Sequence, residues 1–290
     1  MPRARSNGIE LEYDTFGDPA DPTLVLVMGL RAQMTSWDPR LCDLLAAEGF
    51  HVVRFDNRDC GLSTQFDHLP APDPVAIAAG DRATVPYLLA DLALDLVGLL
   101  DHLGVERAHL VGASMGGMIV QQCAIDHPER VLSLCSIMST TGDREVGQAT
   151  PEARARLAQP PPTSREEAVE AAVATWKVVG SPGGEADEEQ VRARAAAAYD
   201  RAFRPAGGLR QYAAIVASPD RTPGLRGLRL PALVVHGMAD TLVAPSGGRA
   251  TAAAIPDAEL LLVDGMGHDL PPAIWPTLVR GIRRNADRAA

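Results

Sequence analysis

Aromatic side chains make up only 4% of this 290-residue chain, cysteine occurs four times, and no apolar run is long. Each scarcity excludes something. A membrane-spanning helix needs roughly 18 to 20 consecutive apolar residues, and no stretch of the chain supplies them. The basic opening around Arg3 and Arg5 leads into no apolar segment of the kind a secretory leader carries, so a soluble, cytoplasmic protein is expected. Cys42, Cys60, Cys123 and Cys135 are scattered without a C-x-x-C pair, which argues for reduced thiols rather than a disulfide framework. The seven histidines include no H-x-H or H-E-x-x-H spacing, so no metal site is announced. Basic residues are in the minority, 27 against 37 acidic ones. The resulting net charge of −10 repels phosphate backbones and anionic lipid, which disfavours nucleic acid and membrane surfaces as partners.

What is present is an ordinary core-forming composition, 46% hydrophobic and 22% charged. Residues 9–16 alternate apolar and polar (I-E-L-E-Y-D-T-F), the pattern of a half-exposed strand at a sheet edge. Residues 23–28 are continuously apolar after the first, as in a parallel strand covered on both faces. Helical signals over 37–47, 87–103 and 115–126 alternate with short strands at 51–55, 108–111 and 131–138. For the helix at 87–103, Thr84 is the expected cap and Gly104 the stop. A turn of helix is expected within 73–83. This rhythm predicts an α/β fold, with a mostly parallel eight-stranded sheet flanked by helices.

The rhythm breaks over residues 140–229. That interval holds a Pro160-Pro161-Pro162 run, helical segments at 165–179 and 188–203, and a Ser181-Pro182-Gly183-Gly184 linker. Helices without strands inside an α/β chain suggest a cap, so 1–139 and 230–290 are expected to form the core and 140–229 a helical insertion. Strands resume at 232–236 and 260–263, and a helix over 272–285 closes the chain.

Gly112-Ala113-Ser114-Met115-Gly116 lies between an expected strand and an expected helix. A G-x-S-x-G there reads as a nucleophile elbow, because a side chain two residues either side of the serine would collide in so tight a turn. A serine hydroxyl needs a base. In elbow architectures the chain order is serine, acid, histidine. His268, after Gly265 and Gly267 and beyond the last strand, fits the base. Asp240, four residues past His236, fits the acid that orients it, with Asp143 as runner-up. Acyl transfer also needs two N–H donors for the oxyanion; the expected donors are the backbone N–H groups of Met115 and Leu30. This chemistry requires no metal or organic cofactor. Trp37, Trp176, Tyr199, Phe203 and Tyr212 are candidate pocket aromatics, with core packing the alternative for each.

These residues resemble the α/β-hydrolase superfamily over nearly the whole chain. Asp56-Asn57-Arg58-Asp59-Cys60-Gly61-Leu62-Ser63 is similar to its D-x-R-x-x-G-x-S segment, and His127-Pro128-Glu129-Arg130 and the 231–237 stretch are similar to others. Within it, Val27-Met28-Gly29, Ser63-Thr64 and Gly265-Met266-Gly267-His268 resemble the aclacinomycin methylesterases, although Leu30 stands where a small residue is expected. The resemblance implies a serine esterase acting on a small-molecule ester, as monomer or homodimer, with methyl esters of bulky polyketide-like molecules as one substrate class. Cofactor-free haloperoxidase or perhydrolase chemistry and carbon–carbon hydrolysis use the same triad. A non-catalytic, ligand-binding member of the fold is the alternative of another kind.

Overall fold

Five successive residues from Thr23 carry side chains that cannot all face one side of a pleated strand, and all five are buried. The computed structural model describes residues 2–183 and 188–289. Gly184, at the end of the expected linker, lies outside the described residues, as do Met1 and Ala290. Eight strands form one sheet among the described residues: β1 (Arg3–Ser6), β2 (Ile9–Phe16), β3 (Thr23–Val27), β4 (His51–Phe55), β5 (Ala108–Ala113), β6 (Val131–Ile137), β7 (Ala232–Gly237) and β8 (Glu259–Val263). Their order is β1-β2-β4-β3-β5-β6-β7-β8; β2 pairs antiparallel with β1 and β4, and the remaining pairs are parallel.

The expected edge strand 9–16 keeps its bounds but is not the edge, because β1 pairs outside it. β1 is only four residues long and alternates exposed and buried positions, too short a pattern to separate from a loop in sequence.

Helices α1 (Pro39–Ala47), α2 (Pro74–Ala78), α3 (Leu89–Leu103) and α4 (Met115–Asp126) precede β6. Five helices and no strand separate β6 from β7 among the described residues: α5 (Pro151–Leu157), α6 (Arg165–Val179), α7 (Glu188–Arg201), α8 (Pro205–Ala217) and α9 (Thr222–Leu225). Helix α10 (Pro245–Ala254) follows β7, and α11 (Trp275–Asp287) closes the fold. The expected cap at Thr84 is not used. Leu88 occupies the N-cap of α3, and its N–H donates to the Asp91 carboxylate at 2.8 Å. Gly104 does stop the helix, with φ of 68° in the left-handed region where glycine carries no Cβ penalty.

The sheet is covered on both faces. Leu24 and Leu26 of β3 point into one core with Trp37, Leu41, Trp275 and Leu278, from α1, α11 and the segment before α1. Val25 and Val27 point into the other with Leu96, Leu99, Ile119 and Val120 of α3 and α4. That alternation follows from the two-residue period of a strand. All four cysteines are free and buried, and burial pushes the Cys42 and Cys123 thiols up to about 12, so they stay protonated and inert.

Candidate active site

The turn between β5 and α4 has no room for side chains. Ser114 takes φ 56° and ψ −119°, a strained conformation for a residue with a Cβ. A Cβ on Gly112 would strike the Gly116 carbonyl, and one on Gly116 would strike the Val27 carbonyl of β3. The two glycines of the motif are therefore steric requirements of the turn. Ser114 N–H donates to Ile137 O at 2.9 Å and its carbonyl accepts from Ser139 Oγ at 2.8 Å, so neighbouring elements hold the strained residue. Its side chain stands at the N-terminal end of α4, where the helix dipole favours negative charge.

His268 and Asp240 come to this point from the loops after β8 and β7. The imidazole Nε2 lies 3.0 Å from Ser114 Oγ, and Nδ1 lies 2.7 Å from Asp240 Oδ2. A carboxylate can only accept, so Nδ1 carries the proton and Nε2 presents its lone pair to the serine hydroxyl. The other Asp240 oxygen accepts from the Leu242 and Val243 N–H groups at 2.9 Å each. Burial by itself would push the Asp240 carboxyl up. Hydrogen bonds from His236 and His268, the His268 charge and the Val243 N–H outweigh it and bring the carboxyl down to about 2. The carboxylate thus remains ionised at neutral pH. The runner-up Asp143 instead accepts from Glu145 N–H at 2.9 Å, within its own loop.

The turn after β3 abuts the serine: a Cβ on Gly29 would lie 3.0 Å from Ser114 Cβ and 3.4 Å from Oγ. Leu30 follows in this turn, half-buried, and Met115 is the buried first residue of α4. The first N–H groups of a helix have no partner within it, which leaves the Met115 amide free to bind outward. Among the described residues no three His, Cys, Asp or Glu side chains converge to hold a metal ion. A surface depression of about 520 Å³ lies at the β1–β2 turn, but its lining, which includes Arg5, Asn7 and Thr64, contains none of these residues. Of the aromatics, Trp37 is packed in the core, and Tyr199 and Phe203 stack on each other with ring centroids 4.6 Å apart.

Several residues that support the site carried no such role in the sequence. His236 is fully buried, donates from Nε2 to Val243 O at 2.8 Å, and holds that nitrogen 3.5 Å from Asp240 Oδ2. Gln211 of α8 accepts from Arg31 N–H at 3.0 Å and donates to Arg58 O at 2.8 Å. The Asp56–Ser63 segment is a hub. Asp56 accepts from the Met34 N–H at 2.8 Å and pairs with Arg201 of α7 at 2.7 Å. Arg58 pairs with Asp95 at 2.6 Å, and Asp59 pairs with Arg210 of α8 at 2.7 Å while accepting from Tyr87 Oη at 2.7 Å. The family-like spacing of this segment signalled its importance; nothing local to Gln211 did.

A family model described as the alpha/beta hydrolase fold matches residues 22–271. The chain belongs to that family. Among curated relatives, this α/β-hydrolase is 29% identical over 293 residues to the rhodomycin D methylesterase DauP of a Streptomyces species, covering 94% of each chain. It is 27% identical to 3-oxoadipate enol-lactonase 2 of Acinetobacter baylyi, over 83% of this chain and 80% of the relative. The esterase RhEst1 from a Rhodococcus species superposes with a TM-score of 0.77 at 22% identity, covering 100% of this chain and 99% of the other. That likeness establishes the shared fold. The methylesterase relatives agree with the resemblance read from the elbow and the Gly265–His268 segment.

Proposed function

We propose that this α/β-hydrolase cleaves a carboxylic ester of a small molecule with Ser114 as nucleophile, His268 as base and Asp240 as the acid that orients it. One observation carries the reading: the imidazole bridges the serine hydroxyl and the buried carboxylate at 3.0 and 2.7 Å, in the tautomer that general-base catalysis needs. Ser114 Oγ attacks the ester carbonyl as its proton passes to His268 Nε2, and the carbonyl π electrons move to the oxygen. The Met115 and Leu30 N–H groups receive that oxyanion. Collapse breaks the bond to the alcohol oxygen, which leaves with the proton from His268. Water then attacks the acyl-enzyme, His268 takes its proton, and collapse releases the acid and restores the Ser114 hydroxyl.

Residues 1–139 and 230–290 form the hydrolase core in this reading, and 140–229 form a cap above the carboxyl edge of the sheet. The substrate class in this reading is a methyl ester of a polyketide-like or other bulky small molecule, supported by the rhodomycin D methylesterase relatives. The net charge of −10 disfavours nucleic acid and anionic lipid and so supports a small molecule as the partner.

The test is covalent. A fluorophosphonate probe is expected to label the native protein and to leave Ser114→Ala unlabelled, with p-nitrophenyl butyrate hydrolysis lost in the same variant. Labelling that persists in Ser114→Ala removes the serine from its role. Tight ester binding without turnover in the native protein would make it a binding member of the family instead.

A further inference from the structure

The junction after α6 is fastened to both catalytic loops. Val178 O accepts from Thr241 Oγ1 at 2.8 Å, one residue beyond the acid Asp240. The next carbonyl, Val179 O, accepts from the backbone N–H of His268 itself at 2.6 Å. Two residues on, Ser181 Oγ accepts from Gly267 N–H at 2.9 Å and donates to Asp269 Oδ1, while Ser181 N–H donates to Asp269 Oδ2 at 3.1 Å. Gly267, His268 and Asp269, three consecutive residues of the base loop, are therefore each bonded to Val179 or Ser181. Gly267 is required by the same contact, since a Cβ there would strike the Gly180 backbone. Ser181 is 8% exposed, so these bonds are shielded from competing water.

We infer that Ser181 and Asp269 are a positioning pair that sets the reach of the His268 imidazole, so that the chain leaving α6 is part of the catalytic scaffold. The inference rests on the triad reading. The Ser181 hydroxyl both accepts from the base loop's backbone and donates to its side chain. It fixes the loop one residue before and one residue after the histidine. Removing it leaves Gly267 N–H and one Asp269 oxygen without their partners and frees the loop to shift. Ångström-scale displacement of a catalytic group can lower a rate by about a hundredfold without touching substrate. Because the bonds reach the base and not the pocket, the loss falls on kcat rather than on KM.

The experiment compares Ser181→Ala, Ser181→Thr and His268→Ala with the native protein on p-nitrophenyl butyrate, alongside thermal unfolding. Ser181→Ala is expected to lose about 10- to 100-fold in kcat with KM within about twofold, and Ser181→Thr, which keeps the hydroxyl, to recover most of it. The rate of fluorophosphonate labelling of Ser114 should fall in parallel, because that reaction also needs the positioned imidazole. Where Ser181→Ala is not recovered folded, Asp269→Asn, which keeps the side-chain shape, is expected to show the same kcat-selective loss; native kcat there overturns the inference. Folded Ser181→Ala with native kcat overturns it too, as does a loss that threonine fails to restore. His268→Ala separates the two readings. Native turnover there ends the triad reading and this inference together, whereas a dead His268→Ala beside a fully active Ser181→Ala ends this inference alone.

Discussion

At the residue scale, Asp240 shows how a single carboxylate is held in one state. Its Oδ2 faces two histidines and its Oδ1 two backbone N–H groups, and these bring it down to about 2 despite complete burial of the side chain. An asparagine there keeps the size but offers an N–H₂ where His268 Nδ1–H needs an acceptor, which favours the wrong tautomer. Asp240→Asn is expected to lower kcat by roughly 10³- to 10⁴-fold while leaving the fold intact. Circular dichroism beside steady-state kinetics checks it, and a loss under tenfold would move the acid elsewhere. Both the chain order and the turn chemistry of these residues were readable in sequence. His236 was legible only as a strand end, because its bond to Val243 O joins residues whose approach depends on the loop between them.

At the element scale, α8 deserves comparison with the helices that sequence periodicity predicted. Its Gly207 and Gly208 let its backbone press against Asp59 O and the Arg31 side chain, and Gln211 then reaches the Arg31 N–H in the turn that follows Leu30. Arg31 sits at φ 62°, a left-handed conformation that needs such support. Gln211→Ala strands two backbone groups, of which the buried Arg58 carbonyl loses its donor, and each unsatisfied group costs about 1–3 kcal/mol. The expected outcome is a loss of about 2–6 kcal/mol in urea unfolding, together with a lower kcat if the loosened turn carries the proposed Leu30 oxyanion donor. Native stability would mean that α8 does not brace that turn. Helix α8 was not legible because its glycines and its buried Arg210 and Gln211 break the apolar stripe by which a surface helix is recognised. By contrast, α4 and α6 keep the bounds read from sequence, and α3 differs from its reading only at the start.

At the scale of the whole molecule, stability toward acid is expected to depend on groups buried in uncharged or paired form. Burial, reinforced by the nearby Arg283 charge, pushes His109 from 6.5 down to about 4; it lies in β5 with Nδ1 2.8 Å from Ser133 Oγ. Between those values the unfolded chain binds a proton that the folded one refuses. The contribution is thus fully present above pH 6.5 and is lost as pH falls through about 4. Over the full interval this amounts to at most about 3 kcal/mol. Asp240 adds a second loss between 3.8 and about 2, of the same sign. Urea unfolding at pH 7.5, 5.5 and 4.5 is expected to show stability declining with pH, with a visibly shallower decline in His109→Asn. Identical slopes in the two proteins would assign the acid limit to other groups.

The sequence alone determined the class of sheet, the tight strand-to-helix turn at Ser114 and the chain order in which Asp240 and His268 follow it past later strands. Those features are local, written in strand runs, in glycines that a tight turn requires, and in residues placed just past strand ends. It also marked 140–229 as helical. Only the tertiary structure decided that β1 rather than β2 forms the sheet's edge, that two histidines share the Asp240 carboxylate, and that Gln211 bonds the turn beside Ser114 and Ser181 the loop that carries His268. Gln211 and Ser181 reach these turns across 180 and 86 positions, and the two histidines meet Asp240 through the paths of loops, distances that neither propensity nor spacing encodes; β1, four residues long, is too short a pattern to tell from a loop.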